Sequence, residues 1–515
     1  MLNFFMINFW DFERKNRFKS LFILFLIFLL FVIGWRGAFL ITKLFLGLKI
    51  DLPFYIFFVI ALLSFVFYLH RSGSTIRDFL FAINALPIDL EDFRHRRAQN
   101  IINEISISAG IQPPRLYIFP SYIKNAFTVK LDKEHVIALS EGVVGNMRRD
   151  EIQAIVAHEI GHIVNKDTEL KTFIASISGA LYSAKSLLGF TKTRGANVSV
   201  KTGSRTQFGG LYIVIMYLYI KLVMFFTRIL SMMISREREY LADMKSVEFT
   251  RNPEAMARAL YVIEHDRIKQ IINLTHPSFS MLFLVNPIKD SIEVKNNLFS
   301  RLFTTHPPTI ERIKRMLQLA HLQPGEFYVK TMKERMEKRK EQAYFIKDGD
   351  EWKGPFTLSE LKEKFEDYHT LEVFTEMFGK ERLLFKGEKS GYICPRCGGA
   401  LYNTYYEDIP IQMCENCKGV LIKSVRLKRS LIREDYHPGR DVDKQKIKEA
   451  FLIKKKTTGK TEIKDFDPSE PFNCPVCGQQ MARFFYSYET PIVVDFCYKC
   501  SLYFLDDGEL DILQR

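Results

Sequence analysis

No cysteine precedes Cys394 in this chain of 515 residues. That excludes a disulfide framework for most of the molecule and confines cysteine chemistry to the C-terminal part. Long charge-free runs are scarce as well. The uncharged block Ser20–Trp35 would span about 24 Å as a helix and Leu52–Leu69 about 27 Å, against roughly 30 Å for the hydrocarbon core of a bilayer. With flanking cations able to snorkel, both are expected to cross a membrane. Small residues suited to signal cleavage are missing after the first block, where Trp35-Arg36-Gly37 follows, so a cleaved leader is the weaker reading. Overall hydrophobic content, 47%, is ordinary, and only its distribution is not.

Cations set the expected orientation. Arg14, Lys15, Arg17 and Lys19 precede the first block, and Arg71, Arg77, Arg94, Arg96 and Arg97 follow the second, so both flanks favour the cytosol. Arg36, Lys43 and Lys49 between them weaken the bias without reversing it. Two further apolar blocks, 172–190 and 209–234, carry Lys185, Lys221 and Arg228 and are either two crossings or a re-entrant hairpin. Either way the number of crossings is even, which returns the chain to the same side of the membrane.

Between these blocks lies the string His158-Glu159-Ile160-Gly161-His162. Positions four apart share a helical face, so both histidines can ligate one metal ion with Glu159 beside them as a base. Helix is the expected local structure. Asp150 and Glu151 suit its first turn, Ile152, Ile155, Val156, Ile160 and Ile163 give an apolar stripe, and no proline interrupts Arg148–Asp167. A catalytic zinc needs a third protein ligand and an open fourth position. In Ser235–Asp243, Glu239 and Asp243 are again four apart. Glu239 is the favoured ligand and Glu237 the competing one, while Asp243 would orient a histidine through its non-ligating nitrogen. An amphipathic helix with two surface histidines and a solvated charge run is the plain alternative.

HEIGHIVNKD, the later SREREYLAD, the segment Asn125–Val144 and THPPTIERI at Thr305–Ile313, in that order, resemble the HtpX-type membrane metalloproteases, relatives of the CAAX prenyl proteases. The resemblance covers roughly Met1 to Leu322 and implies an active zinc endopeptidase in which His158, His162 and Glu239 bind the ion and Glu159 is the base. Asn125, Ala126 and Phe127 resemble the family's cleft segment, where an extended substrate would add as a strand and Asn125 would bind its backbone. A further donor is required for the oxyanion. His306 is the candidate, although Thr-His-Pro-Pro reads equally well as the entry turn of a helix.

The eight cysteines form four Cys-x-x-Cys pairs: Cys394/Cys397, Cys414/Cys417, Cys474/Cys477 and Cys497/Cys500. Paired knuckles flanking hairpin-like segments rich in aromatic and β-branched residues are the pattern of closed tetrahedral zinc sites, and two such units look like a duplication. They resemble zinc ribbons of the transcription-factor IIB type. The second ends in Phe504-Leu-Asp-Asp-Gly-Glu-Leu510, whereas the first carries Lys423, Arg426, Lys428 and Arg429 instead. A lysine-rich stretch between them contributes to a net charge of +14 and reads as a solvated tether or a contact with the lipid surface before it reads as a nucleic-acid site.

The expected architecture is a mainly α membrane protein: a helical zincin-type metalloprotease domain with a small β element, plus two small β zinc ribbons. Its expected divisions are 1–70 (two transmembrane helices), 71–325 (metalloprotease), 326–389 (a charged helix and a small GYF-like or linker region), 390–430 (ribbon 1), 431–470 (basic linker) and 471–515 (ribbon 2). Three zinc ions are expected, one catalytic and two structural. Membrane proteins or peptides are the expected substrates, with the ribbons as recruitment sites and both halves cytosolic on a cell or inner membrane. A membrane-anchored zinc-ribbon scaffold for protein or nucleic acid is the alternative function.

Overall fold

The structure is a computed structural model. It describes residues 9–46, 51–187, 215, 217–219, 221–222, 225, 238–267, 282–284, 307–337, 344–348, 351–356, 361, 370–375, 379–384, 387–433, 471–486 and 492–514.

Two long helices come first, α1 (Phe9–Leu46) and α2 (Phe54–Ala82). Phe28 of α1 meets Phe58 and Phe65 of α2 edge-on, at 5.2 and 5.7 Å between ring centres. The stretch Phe25–Leu44 is long and apolar enough to cross a membrane, and it is the one such helix among the described residues. The second expected span, Leu52–Leu69, falls almost wholly within α2. Among the described residues its apolar helical part is Tyr55–Phe67. Beyond it Ile76, Phe79 and Leu80 are buried against a β-sheet.

That sheet has the order β1-β2-β4-β3, with β1 Leu86–Pro87, β2 Arg115–Phe119, β3 Ala126–Leu131 and β4 Glu134–Ser140. β2 and β4 run parallel, and β3 and β4 form a hairpin turned by Asp132 at φ 55°. Alternation along the strands sends successive side chains to opposite faces. Ile137 and Leu139 pack with Ile101, Ile102 and Ile105 of α3 (Phe93–Ala109) and with Ile155, Val156 and Ile160 of α5 (Arg149–Val164). Val136 and Ala138 pack on the α2 side with Phe127 and Phe283. Each such large apolar side chain contributes about 1.5–3 kcal/mol by burial, so this two-sided core is what fixes α5 against the strands.

α5 begins as its charges require. The Glu151 carboxylate accepts the backbone N–H of Arg148 at 2.9 Å, and Asp150 joins it in the first turn. After a break at Asn165–Lys166, where Lys166 has φ 57°, α6 (Asp167–Leu187) packs Phe173, Ile174 and Ile177 with Ile27 of α1. It covers most of the expected block 172–190. Of the block 209–234 only a few helical residues are described, among them Tyr219, whose hydroxyl donates to Gly34 O of α1 at 2.8 Å. The helical stretch 238–250 then returns to α5, and helices Pro253–Arg267 and Thr309–Leu319 close the unit through Leu260, Ile313 and Met316.

Strands β5 (Tyr344–Asp348), β6 (Glu351–Phe356), β7 (Thr370–Thr375) and β8 (Gly379–Leu384) form a separate antiparallel sheet of order β6-β5-β7-β8. The cysteine-bearing units depart from expectation. β9 (Lys389–Ile393), β10 (Ala400–Tyr406), β11 (Ile409–Cys414) and β12 (Val420–Lys423) join β13 (Ala482–Phe485), β14 (Val493–Cys497) and β15 (Leu502–Leu505) in one seven-stranded sheet. The seam is the antiparallel pairing of Val420–Lys423 with Leu502–Leu505. Two separate ribbons would each leave an apolar strand edge exposed, and pairing β12 with β15 removes both edges.

Candidate active site

α5 places His158, Glu159 and His162 on its buried side, and all three are essentially inaccessible to solvent. Glu239 reaches them from the stretch 238–250. Gly161 allows the approach: a Cβ there would stand 3.0 Å from Lys245 Cβ and 3.3 Å from Ala242 Cα, closer than side chains ordinarily meet. The smallest residue of the HEIGH string is therefore where the two helices touch.

His158 Nε2 and His162 Nε2 each lie 3.5 Å from one oxygen of the Glu239 carboxylate. Ligand atoms of the three residues fall within 4.8 Å of one another, and the imidazole rings stand at 88°. Two imidazoles and a carboxylate, buried and convergent, are a donor set suited to zinc with a position left open. Glu237, the competing ligand, lies outside the described residues.

Each imidazole is backed by a carboxylate. Nδ1 of His158 is 2.9 Å from Asp243 Oδ1, and Nδ1 of His162 is 3.3 Å from Asp167 Oδ2. Asp243 in turn takes a two-pronged ion pair from Arg312, with Nε at 2.9 Å and Nη2 at 2.6 Å. Arg238 pairs with Asp167 at 2.8 Å. Burial alone would pull the His158 pKa down, but the Asp243 and Glu239 carboxylates outweigh it and raise it. His162 goes the other way, because burial and the neighbouring Lys171 ammonium both disfavour its cation. Asp243 stays below the usual carboxylate range, since Arg312 and His158 overcome the cost of its burial.

Thr128 of β3 donates its hydroxyl to Glu159 Oε2 at 2.6 Å, which aims the carboxylate.

Thr128, Asp167, Lys171, Arg238 and Arg312 were not singled out as site residues in the sequence. Arg312 stands in the Thr305–Ile313 motif, where attention fell on His306, which itself lies outside the described residues. Asp167 follows the break between α5 and α6, and Lys171 puts Nζ 2.7 Å from Glu239 Oε1 and 3.1 Å from His162 Nε2. A lysine nine residues past a histidine has no periodic relation to it once a helix break intervenes.

The expected substrate edge is placed differently. Asn125, Ala126 and Phe127 are buried. The Asn125 side chain accepts the Ala126 N–H at 3.0 Å, Ala126 O accepts Leu284 N at 2.8 Å, and Phe127 forms an antiparallel bridge with Phe283. The chain's own Leu282–Leu284 thus fills the strand edge at which a substrate was expected to add. Its reason is apolar: Phe283 sits among Phe79, Phe119 and Phe127, 4.9 Å from the last.

The cysteines converge in two sets of four, Cys394/Cys397/Cys414/Cys417 and Cys474/Cys477/Cys497/Cys500, each with sulfurs close enough to hold one ion. Backbone N–H donation from Gly399 draws the Cys397 thiol down to about 7, towards the thiolate a metal requires.

Comparison with known proteins agrees with this geometry. The model of peptidase family M48 matches residues 92–320, and that of a transcription factor zinc-finger matches 393–431. The protease HtpX homolog of Pyrococcus furiosus is 34% identical over 221 residues, covering 43% of this chain and 72% of that one. The homolog of Persephonella marina is 30% identical over 288 residues, covering 55% and 93%. The crystal structure of S. mikatae Ste24p matches at 19% identity with a TM-score of 0.30, over 59% of this chain and 65% of that one, which is too loose to bear on the fold. The chain belongs to the HtpX proteases of peptidase family M48 and is a zinc metalloendopeptidase that carries a zinc ribbon of the TFIIB type at residues 393–431.

Proposed function

We propose that this chain is a membrane-integrated endopeptidase that hydrolyses peptide bonds of membrane proteins at the cytosolic face, in quality control or processing. The observation that supports this best is the buried convergence of His158, His162 and Glu239 beside Glu159. Those three residues would hold the catalytic zinc, and the two cysteine quartets would hold one structural zinc each. A bound zinc supplies an electrophile that polarises the scissile carbonyl and brings the pKa of water towards about 7. Glu159 takes the proton of the attacking water and delivers it to the leaving amine nitrogen. Thr128 keeps that carboxylate aimed through its 2.6 Å hydrogen bond. Asp243 and Asp167 orient the two imidazoles through Nδ1 and leave Nε2 as the ligating atom. His306 is the proposed oxyanion donor, on its motif alone.

The helix Phe25–Leu44 supports the membrane assignment, and the cations on either side of the first two apolar blocks support the cytosolic one. A protein so placed meets loops and ends of membrane proteins near the bilayer. The ribbons then serve as recruitment sites for partners or substrates.

Replacing Glu239 with Ala tests the ligand set. Zinc content is expected to fall by one ion per chain, with hydrolysis of an unfolded membrane substrate lost and the ribbon ions retained. Unchanged zinc content would remove Glu239 from the site. A reporter fused after Leu69 should read as cytosolic, and a reading from the opposite side overturns the topology.

A further inference from the structure

The lysine-rich stretch Lys444–Lys460 lies outside the described residues, but the basic arm from Ser424 to Arg433, at the end of the first ribbon, is described. This arm is seated in the peptidase. Arg433 is fully buried, with Nη2 2.6 Å from Asp92 Oδ2, Nε 2.8 Å from Glu141 Oε1, and Nη1 donating to Glu407 O at 2.6 Å. The exchange is reciprocal: Arg94 of α3 reaches into the ribbon's β10–β11 turn, where Nε meets Asp408 Oδ2 at 2.6 Å and Nη2 meets Glu407 Oε2 at 3.3 Å. Arg426 and Arg429 add ion pairs to Asp89 at 2.9 and 3.2 Å. Asp89-Leu-Glu-Asp92 is the acidic complement of the cations that replace the acidic ending of the second ribbon. Desolvated charges held this closely persist only with their partners in place.

The arm also touches the end of the short helix after β4 and, through Tyr122, the segment that leads into β3. Asn146 donates to Ile432 O at 3.2 Å, and the Tyr122 hydroxyl donates to Leu431 O. Glu141, which Arg433 grips, opens the short helix α4 (Glu141–Asn146), whose capping residue is Ser140. Ser140 N donates to Asn125 O at 2.9 Å, Asn125 N donates to Ser140 Oγ at 3.0 Å, and Gly142 N donates to Ser121 O at 2.9 Å. The loop lies so close on α4 that a Cβ on Gly142 would stand 2.3 Å from Tyr122 O. Asn125 is followed directly by β3, and three residues on, Thr128 holds Glu159.

We propose that the arm Ser424–Arg433 is a positioning element of the peptidase: seated on Asp92 and Glu141, it clamps the Ser121–Asn125 loop and so sets β3 and Thr128 against Glu159. This rests on the reading of Glu159 as the base. The first ribbon is then a fixed part of the enzyme's framework, and Arg433 acts through Glu141 without touching substrate. Loss of the ribbon's fold reaches the reaction along this route.

The test uses the full chain in detergent, with Arg433→Gln, the conservative Arg433→Lys, and Tyr122→Phe, which removes one hydroxyl from the clamp and leaves every charge. Amide hydrogen exchange over residues 121–128, zinc content, and kcat and KM on an unfolded reporter are measured together. Arg433→Gln is expected to exchange at least tenfold faster over 121–128 and to lose about tenfold in kcat, with KM within twofold and zinc content as in the parent. Arg433→Lys should recover part of both effects together, and Tyr122→Phe should move both in the same direction by less. Unchanged exchange over 121–128, or faster exchange with kcat unchanged, overturns the proposal. Should Arg433→Gln not fold, Tyr122→Phe decides alone by the same two readings. Hydrolysis by a Glu159→Gln variant would instead overturn the assignment of the base, while the exchange data on Arg433→Gln would still report on the clamp.

Discussion

The pair Asp243–Arg312 carries the sharpest energetic consequence. Both side chains are about 1% exposed and joined by two hydrogen bonds of 2.6 and 2.9 Å, and Asp243 also stands 2.9 Å from His158 Nδ1. Removing one member of a buried, hydrogen-bonded ion pair leaves an uncompensated charge and costs about 3–5 kcal/mol, whereas replacing both by neutral groups of similar size costs far less. Arg312→Met is therefore expected to destabilise the peptidase by about 3–5 kcal/mol. Asp243→Asn strands Arg312 and costs a similar amount. The double variant should fall short of the sum by at least about 2 kcal/mol, the signature of direct coupling. Asp243→Asn also loses the carboxylate that orients His158, so zinc affinity should drop about 10- to 100-fold, or roughly 1.4–2.7 kcal/mol. Urea titration in detergent measures the first quantity and chelator competition the second. Additive costs within about 0.5 kcal/mol, or a zinc affinity untouched by Asp243→Asn, would refute the reasoning.

Lys171→Met removes an ammonium that competes for Glu239 Oε1 at 2.7 Å, and zinc should bind about tenfold tighter in a chelator titration. Gly161→Val forces side-chain atoms into the contact with Ala242 and Lys245, so a loss of about 1–3 kcal/mol in stability together with weakened zinc binding is expected from the same two assays. The ribbon arm should respond to acid. Burial would raise the Glu141 pKa, but Arg433 and His95 hold it well below its ordinary 4.5; Arg429 and the Asp92 carboxylate, which shares Arg433 with it, are the other charges that face it. A depressed carboxylate stabilises the fold fully above its ordinary value, and that stability is lost as pH falls through the folded value. The melting temperature of the parent should thus fall more steeply below about pH 4.5 than that of Arg433→Gln, and parallel curves would count against the pairing.

How much of this was legible beforehand depends on the range of the signal. His158, Glu159 and His162, and likewise Glu239 and Asp243, are related by helical periodicity, which any sequence displays, and the structure brings these two groups together. Arg312 and Asp243 meet across 69 positions, and no local pattern announces such a contact. The neighbour at the edge of β3 was not legible for a similar reason. Leu282–Leu284 fills it because Phe283 completes an aromatic cluster, and the sequence separation of Phe127 and Phe283 hides their partnership. Cysteine spacing announced both quartets, while the joining of β12 to β15 depends on two short apolar strands with no mark of their partner. Residues 431–433 were assigned to a linker by composition, yet Arg433 is buried. Only the acidic run at Asp89–Asp92, set beside the basic ending of the first ribbon, carried a hint of that contact.

The central claim is that Glu159 performs proton transfer at a site whose metal is held by other residues. Zinc content and hydrolysis measured on the same preparation of the Glu159→Gln variant test it most directly. The account predicts zinc bound as in the parent, three ions per chain, with cleavage of an unfolded membrane substrate abolished. Cleavage at the parental rate with zinc intact would contradict it.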